Sequence, residues 1–272
     1  MASQEPGELH VRKIRRYGWR RSYPDMRDLS FAPHPDVVAN LPESFSLRDK
    51  CPDVYDQGEL GSCTANGIAF AVQFNQIQQS AASFRPVQIF MPSRLFIYYG
   101  ERVIENTVNT DSGAEIRDGF KVIGTLGAPP ESDWPYDISK FDQRPPDQAY
   151  ADAKLDIAVQ YMAVQQDLTS IKSAIYQGCP VVMGFTVYES FESDEVAKTG
   201  KMPMPQSDEK VLGGHCVVWI GWNDADKTFE TRNSWGSSWG DQGYFWMPQA
   251  LGIDSNMASD FWCLERVGEQ SA

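Results

Sequence analysis

The stretch G-G-H-C-V-V-W-I-G-W-N-D-A-D-K-T-F-E-T-R-N-S-W, residues 213–235, reads as two short strands joined by a turn. C-V-V-W-I-G-W (216–222) and F-E-T-R (229–232) are rich in β-branched and aromatic residues, and Asn223–Lys227 supplies turn formers between them. Residue numbers facing each other across a hairpin have a constant sum. A turn centred near Asp224 or Ala225 sets His215, just ahead of the first strand, beside Asn233 or a close neighbour after the second. An imidazole and a carboxamide then share one end of a sheet. The plain alternative is a core histidine and a loop asparagine that are neighbours by accident. Of the three histidines, His10 and His34 lie in the first forty residues, so His215 is the only one in the main body.

Composition sets the limits around this pair. With 272 residues, 42% apolar and 12% aromatic, the chain can bury a core as a soluble protein. It has no run of about 18 apolar residues, so no membrane-spanning helix is expected. The first thirty residues are charged and lack an apolar stretch. That argues against a classical signal peptide and points to a cytoplasmic protein or export by a non-classical route. A net charge of −13 disfavours nucleic acid as a partner. The charge is uneven: residues 1–30 carry seven basic against four acidic side chains, which leaves the remainder at −16. The basic arm is either a solvated tail or a segment that docks on its own acidic body and covers something. Five scattered cysteines make no disulfide framework, and with no C-x-x-C pair and three histidines neither a metal nor another cofactor is expected.

Along the chain, residues 1–40 read as a charged extension, with H-P-D at 34–36 suggesting a turn or extended run. From Ser62 the pattern turns helical. Ala65, Ile68, Ala69 and Val72, widened by Phe70, Phe74 and Ile77, predict a central buried helix with Ser62 as N-cap and Cys63 in its first turn. A second helix is predicted over Pro92–Val103. A third follows Ser112, with a capping box between Ser112 and Glu115 and an inward face of Ile116, Phe120 and Ile123. Pro129–Pro146 reads as a long loop. Beyond about residue 150 the texture shifts: a helix over Leu168–Tyr176, a strand over 181–187, then the hairpin. Helices first and strands second predict an α+β protein of two lobes. The expected division is an extension (1–40), a mainly helical lobe carrying Cys63 (41–150) and a mainly β lobe carrying His215 and Asn233 (151–272).

The stretch D-Q-G-E-L-G-S-C, residues 56–63, places a thiol at a helix mouth behind glycines and a glutamine. A thiol of ordinary pKa near 8.5 is a poor nucleophile, and a helix N-terminus together with an imidazolium stabilises its thiolate. If His215 meets Cys63, Asn233 can hold the other ring nitrogen and fix the tautomer. The Gln57 amide and the Cys63 backbone N–H can then face a developing oxyanion, with Gly58 and Gly61 leaving room for a carbonyl. Each part has a task in acyl transfer.

Q-G-E-L-G-S-C, G-G-H-C-V-V-W-I-G-W and R-N-S-W-G-S-S-W-G-D-Q-G-Y-F resemble the papain-like cysteine protease family, in the family's order and over roughly residues 41–265. D-S-G-A at 111–114 and P-E-S-D-W-P-Y at 130–136 resemble its substrate-binding glycine region and the loop after it. The resemblance implies a two-lobe fold with a helical N-terminal lobe, an antiparallel β-barrel-like C-terminal lobe and a cleft between them. It implies Gln57, Cys63, His215 and Asn233 as the catalytic set. Ser112 and Gly113 would form one cleft wall, Leu212, Gly213 and Gly214 the other, with Trp235 covering the His215–Asn233 pair unless it is an ordinary core aromatic. Cys216 reads as a small packing residue. Two positions depart from the family: Leu60 stands where an upstream disulfide cysteine is usual, and Thr64 where an aromatic follows the nucleophile. Both, with the basic arm, suggest a bacterial branch with a short N-terminal region. The expectation is a monomeric peptidase, acting as an endopeptidase on peptide or protein substrates through a Cys63 thioester, with residues 1–40 covering the cleft. The alternatives are an acyl transferase with the same site and a non-catalytic peptide-binding module.

Overall fold

The computed structural model describes residues 16–82, 88–155 and 157–268. His10 and the arm residues Arg12, Lys13 and Arg15 lie outside the described residues. The first half of the chain contributes α1 (Pro35–Ala39), β1 (Ser44–Ser46), α2 (Cys63–Ala82), α3 (Arg94–Ile104) and α4 (Ile116–Thr125). Then come α5 (Asp147–Ala153), β2 (Ile157–Ala163), α6 (Leu168–Tyr176), β3 (Val181–Tyr188) and α7 (Asp194–Thr199). The hairpin strands β4 (Val211–Asn223) and β5 (Thr228–Arg232) are followed by β6 (Tyr244–Pro248), α8 (Gln249–Ile253) and β7 (Ala258–Gly268). The result is the α+β, two-lobe arrangement that the order of elements predicts.

Helix α2 is the spine. Every residue from Cys63 to Val72 is buried, as expected of a helix apolar on most sides. It packs on α3 and α4 in one direction and on β4 and β7 in the other, so its N-terminus opens where the helices meet the sheet. The sheet is antiparallel in the order β2-β7-β3-β4-β5-β6, with β1 added to β4. In place of a barrel-like closure it is an open sheet, and both edges are covered by other chain. Phe31 N–H donates to Ala163 O (2.8 Å) and Ala163 N–H to Leu29 O (2.7 Å) along β2, while Trp246 N–H donates to Gly200 O (2.7 Å) along β6. Unpaired edge groups are thus satisfied within the chain.

The β4–β5 ladder pairs Asn223 with Thr228, Trp222 with Phe229 and Val218 with Arg232, with an irregularity between Trp219 and Gly221. Its midpoint falls between Ala225 and Asp226, a residue later than sequence symmetry placed it. Two local expectations change. H-P-D at 34–36 starts α1 instead of a turn, because Pro35 suits the first helical position and His34 Nδ1 accepts the Asp36 N–H (3.2 Å). Ser112 does not cap α4: Glu115 is the N-cap, and the Ser112 hydroxyl donates to Thr107 Oγ1 (2.9 Å) and Gly113 O (3.0 Å). The Ser62 hydroxyl meets the Tyr136 hydroxyl (2.5 Å) and the Asn66 side-chain amide (3.1 Å), tying the start of α2 to the loop after Pro129.

Candidate active site

The hairpin and α2 bring the expected residues together. His215 Nε2 lies 2.8 Å from Asn233 Oδ1, which also accepts the Ser234 backbone N–H at 2.8 Å. Trp235 stacks on the imidazole with ring centroids 5.0 Å apart and planes inclined by 27°, and Trp239 meets Trp235 edge-on at 5.0 Å. Trp235 is therefore the cover of the pair. His215 Nδ1 is buried with no hydrogen-bond partner among the described residues. With Nε2 committed to Asn233, Nδ1 is the nitrogen left for a thiol.

Cys63 opens α2 and is fully buried. Its Sγ accepts the Cys216 N–H at 3.4 Å, so Cys216 serves through its backbone beside the sulfur. Cys63 and His215 share no hydrogen bond among the described residues. Burial pushes the thiol up to about 12, against weaker opposing bonds from the Cys216, Gly18 and Thr64 backbone. Burial also drives His215 down to about 4, against the bond to Asn233. Burial thus works against the thiolate–imidazolium pair expected from the sequence.

Gln57 is buried and doubly anchored. Its Nε2 donates to Leu60 O (2.9 Å), its Oε1 accepts the Ser234 hydroxyl (2.6 Å), and Tyr136 Oη donates to its backbone oxygen (2.9 Å). The nucleophile loop is thus fastened to the loop that carries Asn233. Arg94 joins the same assembly through paired bonds to Glu131 (2.8 and 2.6 Å) and one to Asn66 Oδ1 (3.2 Å).

The N-terminal segment packs beside these residues. Trp19 N–H donates to Gly214 O (2.8 Å), Ala114 N–H to Gly18 O (2.7 Å) and Arg20 N–H to Ala114 O (3.0 Å), so the segment runs as an added strand between the expected walls. On one side the wall is Gly213 and Gly214, next to Leu212. On the other it is Ala114, which sequence reasoning missed; Ser112 and Gly113 shape that loop, Gly113 with a φ of 69°. The Tyr17 ring lies edge-on to His215 at 5.7 Å, and its hydroxyl donates to Glu192 (2.5 Å). Trp19 fills a recess against Gly184 and Gly214, with Nε1 3.0 Å from Asp260 Oδ2. Asp260 also accepts the Ser22 N–H (2.9 Å) and hydroxyl (2.8 Å). Arg20 pairs with Glu105. Of these contacts only the basic charge of the arm was visible in the sequence.

Thr64, where the family has an aromatic, donates to Glu101 Oε2 at 2.9 Å. Glu101 is fully buried, which pushes its carboxyl well above the usual range. No group of three or more potential ligands that could hold a metal occurs among the described residues.

Comparison with known proteins gives a consistent picture. The model of the papain family cysteine proteases matches residues 41–262. An uncharacterised peptidase C1-like protein of Acanthamoeba polyphaga mimivirus is 42% identical, over 93% of this chain and 88% of its own length. The crystal structure of xylellain, a cysteine protease from Xylella fastidiosa, superposes with a TM-score of 0.81 at 38% identity, covering 96% of this chain and 99% of the other. The proCathepsin B S9 structure from Trypanosoma congolense shares the fold, with a TM-score of 0.67 at 16% identity over 86% and 81% of the two chains.

Proposed function

Because this chain belongs to the papain family of cysteine proteases, we propose that Cys63 is its nucleophile, His215 its general base and acid, Asn233 the residue that orients the imidazole, and Gln57 an oxyanion donor. The observation that carries this reading is the His215–Asn233 bond under Trp235, which leaves only Nδ1 free on the buried ring beside the mouth of α2. In the open site the thiol proton passes to Nδ1, and the thiolate attacks the peptide carbonyl carbon. The oxyanion is met by Cys63 N–H and by the second N–H of the Gln57 amide, the first being held by Leu60 O. The imidazolium then gives its proton to the leaving amine. Water, deprotonated by His215, hydrolyses the thioester and restores the thiol.

Residues 41–150 supply Cys63 and residues 151–272 supply His215 and Asn233. Residues 1–40 act as a latency segment. The sulfur accepts the Cys216 N–H, and the Gly18 backbone also counters the rise of its pKa, so the segment reaches the nucleophile. The segment covers the cleft from Tyr17, beside His215, through Trp19 to Ser22, and continues. Endopeptidase action is the mode proposed. The recess that holds Trp19 suits a large apolar side chain of the substrate. The test is peptide-library cleavage by the full chain carrying Gly18→Ala, which frees the cleft, and by the same chain with Cys63→Ala added. Interior cleavage that vanishes in Cys63→Ala supports the reading, and cleavage that survives overturns it.

A further inference from the structure

All five cysteines are free, and Leu60 occupies the position at which the resemblance expects a disulfide from the nucleophile loop. A noncovalent link is present there instead. Both carboxylate oxygens of Asp111 lie 3.1 Å from the Gly61 N–H. Oδ1 also accepts the Tyr98 hydroxyl at 2.5 Å, and the Tyr98 oxygen accepts the Gly113 N–H at 3.1 Å. Burial and the neighbouring Asp111 charge push the Tyr98 phenol far up, so it stays protonated and can donate and accept at once. An added Cβ on Gly61 would lie 3.0 Å from Asp111 Oδ1, so the bare backbone is what lets the carboxylate approach.

Gly61 lies two residues before Cys63, and Gly113 immediately precedes Ala114, the wall residue that hydrogen-bonds extended chain in the cleft. The chain Gly61–Asp111–Tyr98–Gly113 therefore fixes the distance between the loop that presents the sulfur and the wall that holds the substrate backbone. We propose that Asp111, with Tyr98, is a positioning residue for the peptidase reaction: a carboxylate clasp that does the registering of a disulfide without a covalent bond. This rests on the assignment of Cys63 as nucleophile. Charge-assisted bonds to a backbone N–H are among the stronger noncovalent links, and unlike a disulfide they persist under reducing conditions.

A displacement of about 1 Å between substrate and nucleophile costs on the order of 10²-fold in rate. Asp111→Ala is therefore expected to lower kcat for a peptide about 10- to 100-fold, with KM changed much less, because the wall still binds. Alkylation of Cys63 by iodoacetamide, which does not use the wall, should stay within about twofold of the parent rate by the same reasoning. Asp111→Asn, which keeps an acceptor for Gly61, should recover part of kcat. Tyr98→Phe should fall in the same direction as Asp111→Ala, and serves alone if that variant does not fold. These kinetics are measured in the full chain carrying Gly18→Ala, which unseats the segment. In the unaltered full chain, amide exchange at Gly61 should quicken in Asp111→Ala. The proposal is overturned if kcat stays at the parent value, if kcat and iodoacetamide reactivity fall in step, or if Gly61 exchange is unchanged. Turnover by Cys63→Ala would instead overturn the nucleophile assignment, so the two failures are distinguishable.

Discussion

At the residue scale the account turns on what each polar group has as its partner. Asn233 holds one imidazole nitrogen, and removing it frees the ring to rotate and lose the tautomer that catalysis needs. Asn233→Ala should therefore lower kcat on the order of 10²-fold in the unlatched chain. Iodoacetamide labelling of Cys63 should persist, and an unchanged kcat would remove Asn233 from the mechanism. Trp19 has a different role. Truncating a buried aromatic costs about 3–5 kcal/mol, and here the cost falls on the seated segment, since the recess belongs to the body. Trp19→Ala should raise the rate of Cys63 alkylation in the full chain by at least tenfold. The sequence made Cys63, His215, Asn233 and Gln57 legible because their chemistry restricts the residue type and hairpin geometry restricts the place. Ala114 and Gly18 were not legible, since they act through backbone groups that any residue possesses. Asp111 was quoted within a motif but its task was hidden, because it depends on Gly61 and Tyr98 from separate elements.

At the element scale the segment at 16–22 behaves as a strand added to the cleft, and its fit is unforgiving. A Cβ on Gly18 would lie 1.8 Å from Gly61 O, against backbone that cannot swing aside. Gly18→Ala should therefore unseat the segment while leaving the body intact. The expected signs are faster Cys63 alkylation and proteolytic cutting within residues 20–31 at an unchanged melting temperature. Unaltered labelling would show that the segment does not guard the sulfur. Helices α2, α3 and α6 were readable from periodicity, because their apolar faces face one continuous core. Strand β7 was not readable. It carries Asp260 at a φ of 60° and irregular pairing near Gly184, so its inward residues do not alternate. Capping misled at Ser112, which has the residue type of a cap, yet its hydroxyl bonds Thr107 and Gly113 nearby in the chain.

At the scale of the whole molecule, closing the segment and quieting the chemistry are one event. We take the burial of Cys63 and His215, which favours the neutral form of each, to come from the seated segment. This makes closure depend on pH. The seated imidazole, near 4, binds its proton less tightly than an open one near 6.5, so the seated state keeps its full advantage above about 6.5 and loses it as pH falls towards 4. Acid should thus open the full chain, seen as faster proteolytic cutting within residues 20–31 at pH 5 than at pH 8. Cutting at equal rates would contradict the linkage.

The central claim is that Cys63 is the nucleophile of a peptidase held closed by its own N-terminal segment. Its most direct measurement is mass spectrometry of the full-length Gly18→Ala chain after a peptidyl chloromethyl ketone, with peptide turnover followed in the same samples. The account expects one adduct, on Cys63 and none of the other four cysteines, with turnover lost in proportion to labelling and wild type labelled far more slowly. An adduct elsewhere, or turnover that survives complete labelling of Cys63, would contradict it.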